Sequence, residues 1–474
     1  MDLTFIKGDK HGSETDYRDA LPVNMVAIAK PVLGAQGYML QEAGLTYYVT
    51  DEDSQSFLGA DRGGIYVDRV DIRGHYRVSG ESLIQVNSDG TVTRLGEITG
   101  SDNAKMAASF SNVAIVADNK LYMYNSTDGL RQITDEDLGD TLVDITWVDN
   151  YFFLTDGDRP FHSSITDETT FEPLDFGSAE FKPDSDKGVG HTTDNYAVVF
   201  GRESTQYFVN DGTDDFSFRA LTGRNSDIGI VCATAKAYIN NSFYVIGSKY
   251  GESLGFYQIT AGGGAQLSTR EIEKILSQYN DDDLSSAIVE YQKFDGYQFA
   301  IFHLPNETIK LNITIAQQAG LSNAYSIMKT GTQSENYPAV NGVFDLAVGK
   351  WIYGDKADGR IGYLDNTTGL HYGELAEWLL YTPFYMLDGQ SVRELKIKTV
   401  SGFTSTNDAT VALSVSYDGV DQTAERWIDY GVMGEYDKQF IARRLGRVRD
   451  FISFRMRGAS YSRMAFSRGV LEYG

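Results

Sequence analysis

The chain has 474 residues, with 41 lysines and arginines against 66 aspartates and glutamates, for a formal net charge of −25. Such a length predicts two or three domains. The acidic excess argues against a clamp on nucleic-acid phosphates or a lipid-headgroup binder, and 42% hydrophobic residues exclude wholesale disorder.

The stretch from Met1 to Lys7 lacks the apolar run of a signal peptide, so synthesis in a reducing cytoplasm is expected. From about His75 a unit recurs: an aromatic-rich strand, a polar turn, a second strand, then a glycine-containing turn. Its instances begin near residues 75, 113, 151, 196, 243, 297 and 343, a spacing of about 38 to 54 residues, near that of a four-stranded propeller blade. Turns such as Asn87-Ser88-Asp89-Gly90, Ser126-Thr127-Asp128-Gly129, Asn210-Asp211-Gly212 and Asp365 to Gly369 are expected to close hairpins rather than bind calcium.

Cys232 is the single cysteine; it excludes an internal disulfide framework or multi-cysteine metal site, and its apolar neighbours predict a structural thiol. Ser268-Thr269-Arg270-Glu271 has the pattern of a capping box ahead of a helix with Ile272, Ile275, Leu276 and Tyr279 on one face. Asp281-Asp282-Asp283 is expected to be a solvated loop. The longest apolar run, Trp378 to Leu387, is broken by Pro383 and too short to cross a bilayer. Beyond about residue 374 strict alternation takes over, in Leu395–Val400, Val411–Tyr417 and Phe451–Arg457, which predicts a β-sandwich.

The fold class expected is therefore mainly β with few helices: a propeller-like body of six or seven blade-like units plus a C-terminal sandwich. The boundaries are 1–50 for an N-terminal docking segment with leading strands, 51–373 for the propeller-like body and 374–474 for the sandwich with its basic end.

Motifs of catalysis are missing. No phosphate loop, H-E-x-x-H or G-x-S-x-G occurs, and the six histidines (11, 75, 162, 191, 303 and 371) form no i, i+3 or i, i+4 pair. Gly262-Gly263-Gly264 lacks the spacing and lysine of a phosphate cradle. No catalytic residue, metal or cofactor is expected. A propeller glycosidase using paired carboxylates, or a propeller lectin, acting on host surface polysaccharide, stands as the alternative.

Residues 436–474 hold nine basic side chains and three acidic ones, a local +6 that leaves −31 for the rest. Arginine dominates, as suits bidentate pairing with carboxylates at protein interfaces. The partner expected is an acidic surface, including that of a neighbouring copy.

Three blocks resemble the packaged-DNA stabilisation proteins of short-tailed, podovirus-type bacteriophages. They are Asp16-Tyr17-Arg18-Asp19-Ala20-Leu21-Pro22-Val23-Asn24-Met25 with Gly37-Tyr38 and Gly44-Leu45-Thr46; Ile272-Glu273-Lys274-Ile275 through Tyr279; and Tyr436-Asp437-Lys438 with Arg443-Arg444-Leu445-Gly446-Arg447-Val448-Arg449. The resemblance runs essentially the full length. It implies a structural virion protein, a tail hub or nozzle, made in the host bacterial cytoplasm and carried in the tail. Six copies would form a hexameric ring below the portal and its adaptor protein, close the DNA channel after packaging with a tail needle, and conduct the genome during ejection. Tailspikes would flank it, and double-stranded DNA would pass without tight binding or membrane insertion by this chain. Partner contacts are expected at Asp16, Tyr17, Leu21, Pro22, Asn24, Met25, Tyr436, Lys438, Arg443, Arg444, Arg447 and Arg449.

Overall fold

The computed structural model describes residues 1–3, 8–11, 17–31, 34–50, 57–139, 141–213, 216–399 and 409–474, the side chains of Leu3, Tyr17 and Arg18 excepted. Residues 61–97, 105–133, 144–176, 186–220, 236–266, 288–336 and 339–365 form seven successive antiparallel sheets, here blades I to VII. Each meanders outward from its first strand. The innermost strand of blade I, Asp61–Val67, contacts those of blades II and VII, Lys105–Ala108 and Ala339–Asp345, so the ring closes. The body is a seven-bladed β-propeller.

The recurring unit marks the buried second strand of blades I to VI; its seventh instance, from Val343, begins in the first strand of blade VII, Ala339–Asp345. Val113–Ala117, Tyr151–Thr155, Ala197–Gly201 and Ser242–Gly247 are buried at every position, because neighbouring blades cover both faces. Two-residue turns join the hairpins: Asp118-Asn119, Asp149-Asn150 and Asn240-Asn241 all take positive φ. That is the type I′ geometry whose twist matches the strands, and aspartate and asparagine tolerate it.

Blade VII is built from two distant parts of the chain. Its strands Ala339–Asp345, Lys350–Asp355 and Gly362–Asp365 are completed by Gly44–Tyr47, with Gly362 opposite Tyr47 and Leu364 opposite Leu45. Around this closure lies a buried polar network. Arg77 of blade I, fully buried, donates from Nε to Asp61 at 2.8 Å and from Nη2 to the Asn341 carbonyl at 2.9 Å. Asn341 Nδ2 reaches Asp61 at 2.8 Å, and its backbone N–H donates to Glu290 of blade VI at 2.8 Å. Glu290 also faces His303 at 2.5 Å, and His75 faces Asp345 at 3.2 Å.

The sandwich has one sheet in the order Met25–Ile28, Tyr38–Gln41, Ala465–Tyr473, Ser391–Thr399, Phe440–Arg447. Its other sheet runs Trp378–Tyr381, Phe451–Gly458, Thr410–Ser416, Arg426–Asp429. N-terminal strands thus cover an edge that the C-terminal segment alone would leave bare. The sandwich core is continuous with the propeller: Leu395 and Phe440 share a cluster with Phe256 of blade V and Phe302 of blade VI.

Among the described residues there are two α-helices, Arg270–Leu276 and Ile313–Ala319. The first buries Ile272 and Leu276 as its periodicity predicts. The capping box does not form. The Ser268 hydroxyl instead accepts from Phe256 N at 2.6 Å, anchoring the helix to blade V, and Thr269 occupies the cap position without a side-chain cap bond. Asp281 is ion-paired with Arg202, at 2.6 and 2.8 Å.

Candidate partner interface

The L-P-V-N-M block is interior. Leu21, Pro22, Asn24 and Met25 are buried, Met25 completely, which removes these four from the surface a partner can touch. Their work is within the chain. Val23 bridges Ile327 of blade VI on one side and Leu379 of the sandwich on the other. Asn24, at φ 51°, donates from Nδ2 to the carbonyls of Lys329 and Glu377 and accepts from Lys329 N at 2.9 Å. One side chain therefore ties propeller to sandwich with three bonds, in a left-handed backbone conformation that asparagine adopts readily. Tyr17 begins the strand Tyr17–Ala20; Asp16 lies outside the described residues.

The basic C-terminal block is a sheet edge. Phe440–Arg447 is the outermost strand of its sheet, and its exposed positions carry Arg443, Arg444 and Arg447, with Arg449 just beyond. Strand addition there is blocked in two ways. The register shifts at Val392/Glu394 against Gly446/Arg443, with Arg444 at φ 58°, so the edge is bulged. Arg426 also donates its guanidinium N–H groups to the carbonyls of Arg443 and Arg444 at 2.7 and 3.2 Å. Recognition at this edge therefore falls to side chains.

Most of these cations already have partners. Arg443 pairs with Glu394 at 2.6 Å, Lys438 with Asp429 at 2.7 Å, Arg455 and Arg457 with Glu425, and Arg468 with Asp2. The hydrogen bond from Lys396, then that from Arg443, holds the Glu394 carboxyl below its ordinary pKa. Arg447 donates to the Gly389 carbonyl. Arg444 and Arg449 are exposed and have no carboxylate partner among the described residues. Tyr436, 68% exposed, and Met433, 65% exposed, stand on the same segment. Aromatic, methionine and arginine side chains are the types enriched at protein interfaces.

The propeller bore offers less. A cavity of about 770 Å³ at one mouth is lined by residues including Tyr66, Arg69, Phe110, Trp147, His191 and Asn195, and a second of about 430 Å³ lies among the inner strands. Both cavities are lined by side chains of the innermost strands and the turns beside them. Lys236 reaches Asp144 within the second at 2.5 Å. Among the described residues no group of three His, Cys, Asp or Glu side chains could hold a metal, and no helix is long and apolar enough to cross a membrane. Cys232 is half-buried, donates to the Ala287 carbonyl, and burial pushes its thiol pKa up, which suits a structural role.

Family models described as bacteriophage P22 Gp10, beta-propeller, and bacteriophage P22 Gp10, beta-sandwich, match residues 1–369 and 377–473. The tail hub protein gp10 of Salmonella phage P22 is 26% identical over 484 residues, covering 98% of each chain. Among solved structures, virginiamycin B lyase from Staphylococcus aureus aligns with a TM-score of 0.45 at 12% identity, over 69% of this chain and 99% of that one. The extracellular domain of BT4673 from B. thetaiotaomicron aligns with a TM-score of 0.43 at 10% identity, over 69% of this chain and 41% of that one.

Proposed function

The chain belongs to the bacteriophage P22 Gp10 family, and on that premise we propose that it is a structural tail hub of a short-tailed phage virion. The observation that carries this reading is the family match across both domains, in order and nearly end to end. Copies of the chain form a ring below the portal and its adaptor, close the channel after packaging and conduct the genome during ejection. The conduit lies between copies of the chain, with each propeller forming part of its wall. A net charge of −25 suits a wall that repels phosphates, so DNA slides without adhering. The needle below, the adaptor above and tailspikes at the side are its partners. No chemical turnover is assigned to it.

The test is electron cryo-microscopy of the purified chain mixed with isolated portal–adaptor complex. Symmetric density below the adaptor, six copies around the axis, is the expected result. A chain that leaves the complex bare overturns the reading.

A further inference from the structure

The acidic charge of this molecule is concentrated. Residues 135–184, which make blade III and its approaches, contain fourteen acidic side chains and two basic ones, −12 in a chain whose total is −25. Large apolar side chains stand exposed in the same segment: Leu174 and Phe176 on its outermost strand, Phe171–Phe176, with Ile165 and Phe181 on either side. Glu172 and Glu180 are exposed among them. An apolar patch rimmed by charge is the composition of an interaction site rather than of an ordinary solvated blade edge. Pro173 within that strand denies it a backbone donor, so this surface too is read through side chains.

The opposite composition sits on the sandwich edge, where Arg444 and Arg449 have no carboxylate partner among the described residues and Tyr436 and Met433 are exposed. The two surfaces cannot serve each other within one chain. The sandwich is joined to the ring at blades V and VI, through the shared core and the Asn24 bonds to Lys329. In a ring of seven, blades II and III stand across the bore from blade VI. The basic strand is at the far end of its sheet from Met25–Ile28, the strand that touches blade VI, so the two surfaces are separate patches, as head-to-tail association requires; such association generates rings when the rotation closes.

We propose that the rim of blade III on one copy docks against the Arg444–Arg449 edge of the next copy's sandwich, making the heterologous contact of the ring. This rests on the hub reading and names the two faces by which its copies meet. The apolar side chains supply the desolvated centre and the charges supply register and selectivity.

The experiment uses the full chain at low ionic strength, with self-association followed by sedimentation velocity. Arg444→Glu with Arg449→Glu, and separately Glu172→Arg with Glu180→Arg, should each weaken association by at least about tenfold, while thermal unfolding matches the parent. Mixing the two variants restores opposite charges at every contact, and association should return to near the parental level. Zero-length carboxyl–amine coupling of a mixture of light and heavy isotope-labelled parent should join Glu172 or Glu180 of one copy to Lys438 of another. A parent that does not associate, variants that associate as the parent does, or a mixture no better than either variant alone would each overturn the proposal. A chain that forms symmetric density below the adaptor while failing the mixing test keeps the hub reading and loses only these two faces.

Discussion

Between blades II and III the contact is apolar: Val116 and Leu121 pack on Phe152 and Leu154, all buried. Between blades VII and I a small apolar cluster of Ile84, Val86, Ile352 and Ile361 is supplemented by the buried Arg77 and Asp61 and the partly buried Asn341, hydrogen-bonded together. Blades II and III follow each other in sequence, so local order already defines the neighbour. The closing contact joins parts of the chain far apart, and there a wrong register is a real competitor. Arg77 and Asp61 pair within blade I, and the closing strand must present the Asn341 carbonyl to one and the Asn341 amide to the other, so a wrong alignment leaves buried polar groups without partners. The ions here serve selection more than strength, since replacing a buried pair with apolar groups is often neutral or stabilising.

Four measurements break or sharpen that contrast. The largest effect is expected from Arg77→Met, which leaves Asp61 buried without its counter-charge and should cost about 3 to 5 kcal/mol in urea unfolding. Adding Asp61→Leu should recover most of that loss; no recovery would mean that the ions themselves supply the strength. Leu154→Ala, in the apolar contact of blades II and III, should cost about 3 kcal/mol, with no second-site substitution of a charge able to restore it. Asn24→Ala removes the bonds to Lys329 and Glu377 and should cost about 2 kcal/mol. Asn24→Gly keeps the backbone conformation, so any milder loss measures the share due to positive φ.

The smallest effect is one of pH. His371, bonded to Thr330 at 2.9 Å in the closing blade, has its pKa pushed by burial from 6.5 to about 4. The unfolded chain therefore binds the proton first. Stability from this group is complete above pH 6.5 and declines as pH falls from 6.5 toward 4. At about pH 5.5 the loss should be near 1 kcal/mol, and His371→Gln should flatten the profile over that window.

The blades were legible through their second and third strands, which are covered on both faces and so consist of continuous apolar and aromatic residues. The innermost strands were not, because half of each faces the bore: Asp186–His191, with Lys187, two glycines and His191, has no obvious period. Asp118-Asn119 and Asn240-Asn241 are hairpin turns that carry no glycine, so their positive φ is less plain in the sequence than that of the glycine-containing turns. The basic block was legible as a charge anomaly, but which arginines remain unpaired depends on Glu394, Glu425 and Asp2. Sequence distance hides these partners. Asn24 was singled out for a resemblance, and its role in joining two domains depends on carbonyls more than three hundred residues away.

Completing blade VII with Gly44–Tyr47 has a consequence for how the molecule is made. Those residues leave the ribosome early, whereas their partners at Gly362–Asp365 follow after more than three hundred further residues, on the order of tens of seconds later in translation. Asp2–Leu3 waits longer still, for Gly469 and Val470. Throughout that interval the nascent chain is an open arc, with blade I lacking its neighbour and the sandwich lacking a core. The sandwich edge takes its final form only when synthesis is complete, because its sheet includes Ala465–Tyr473. Of the two faces proposed to meet, a half-made chain thus offers only the blade III rim.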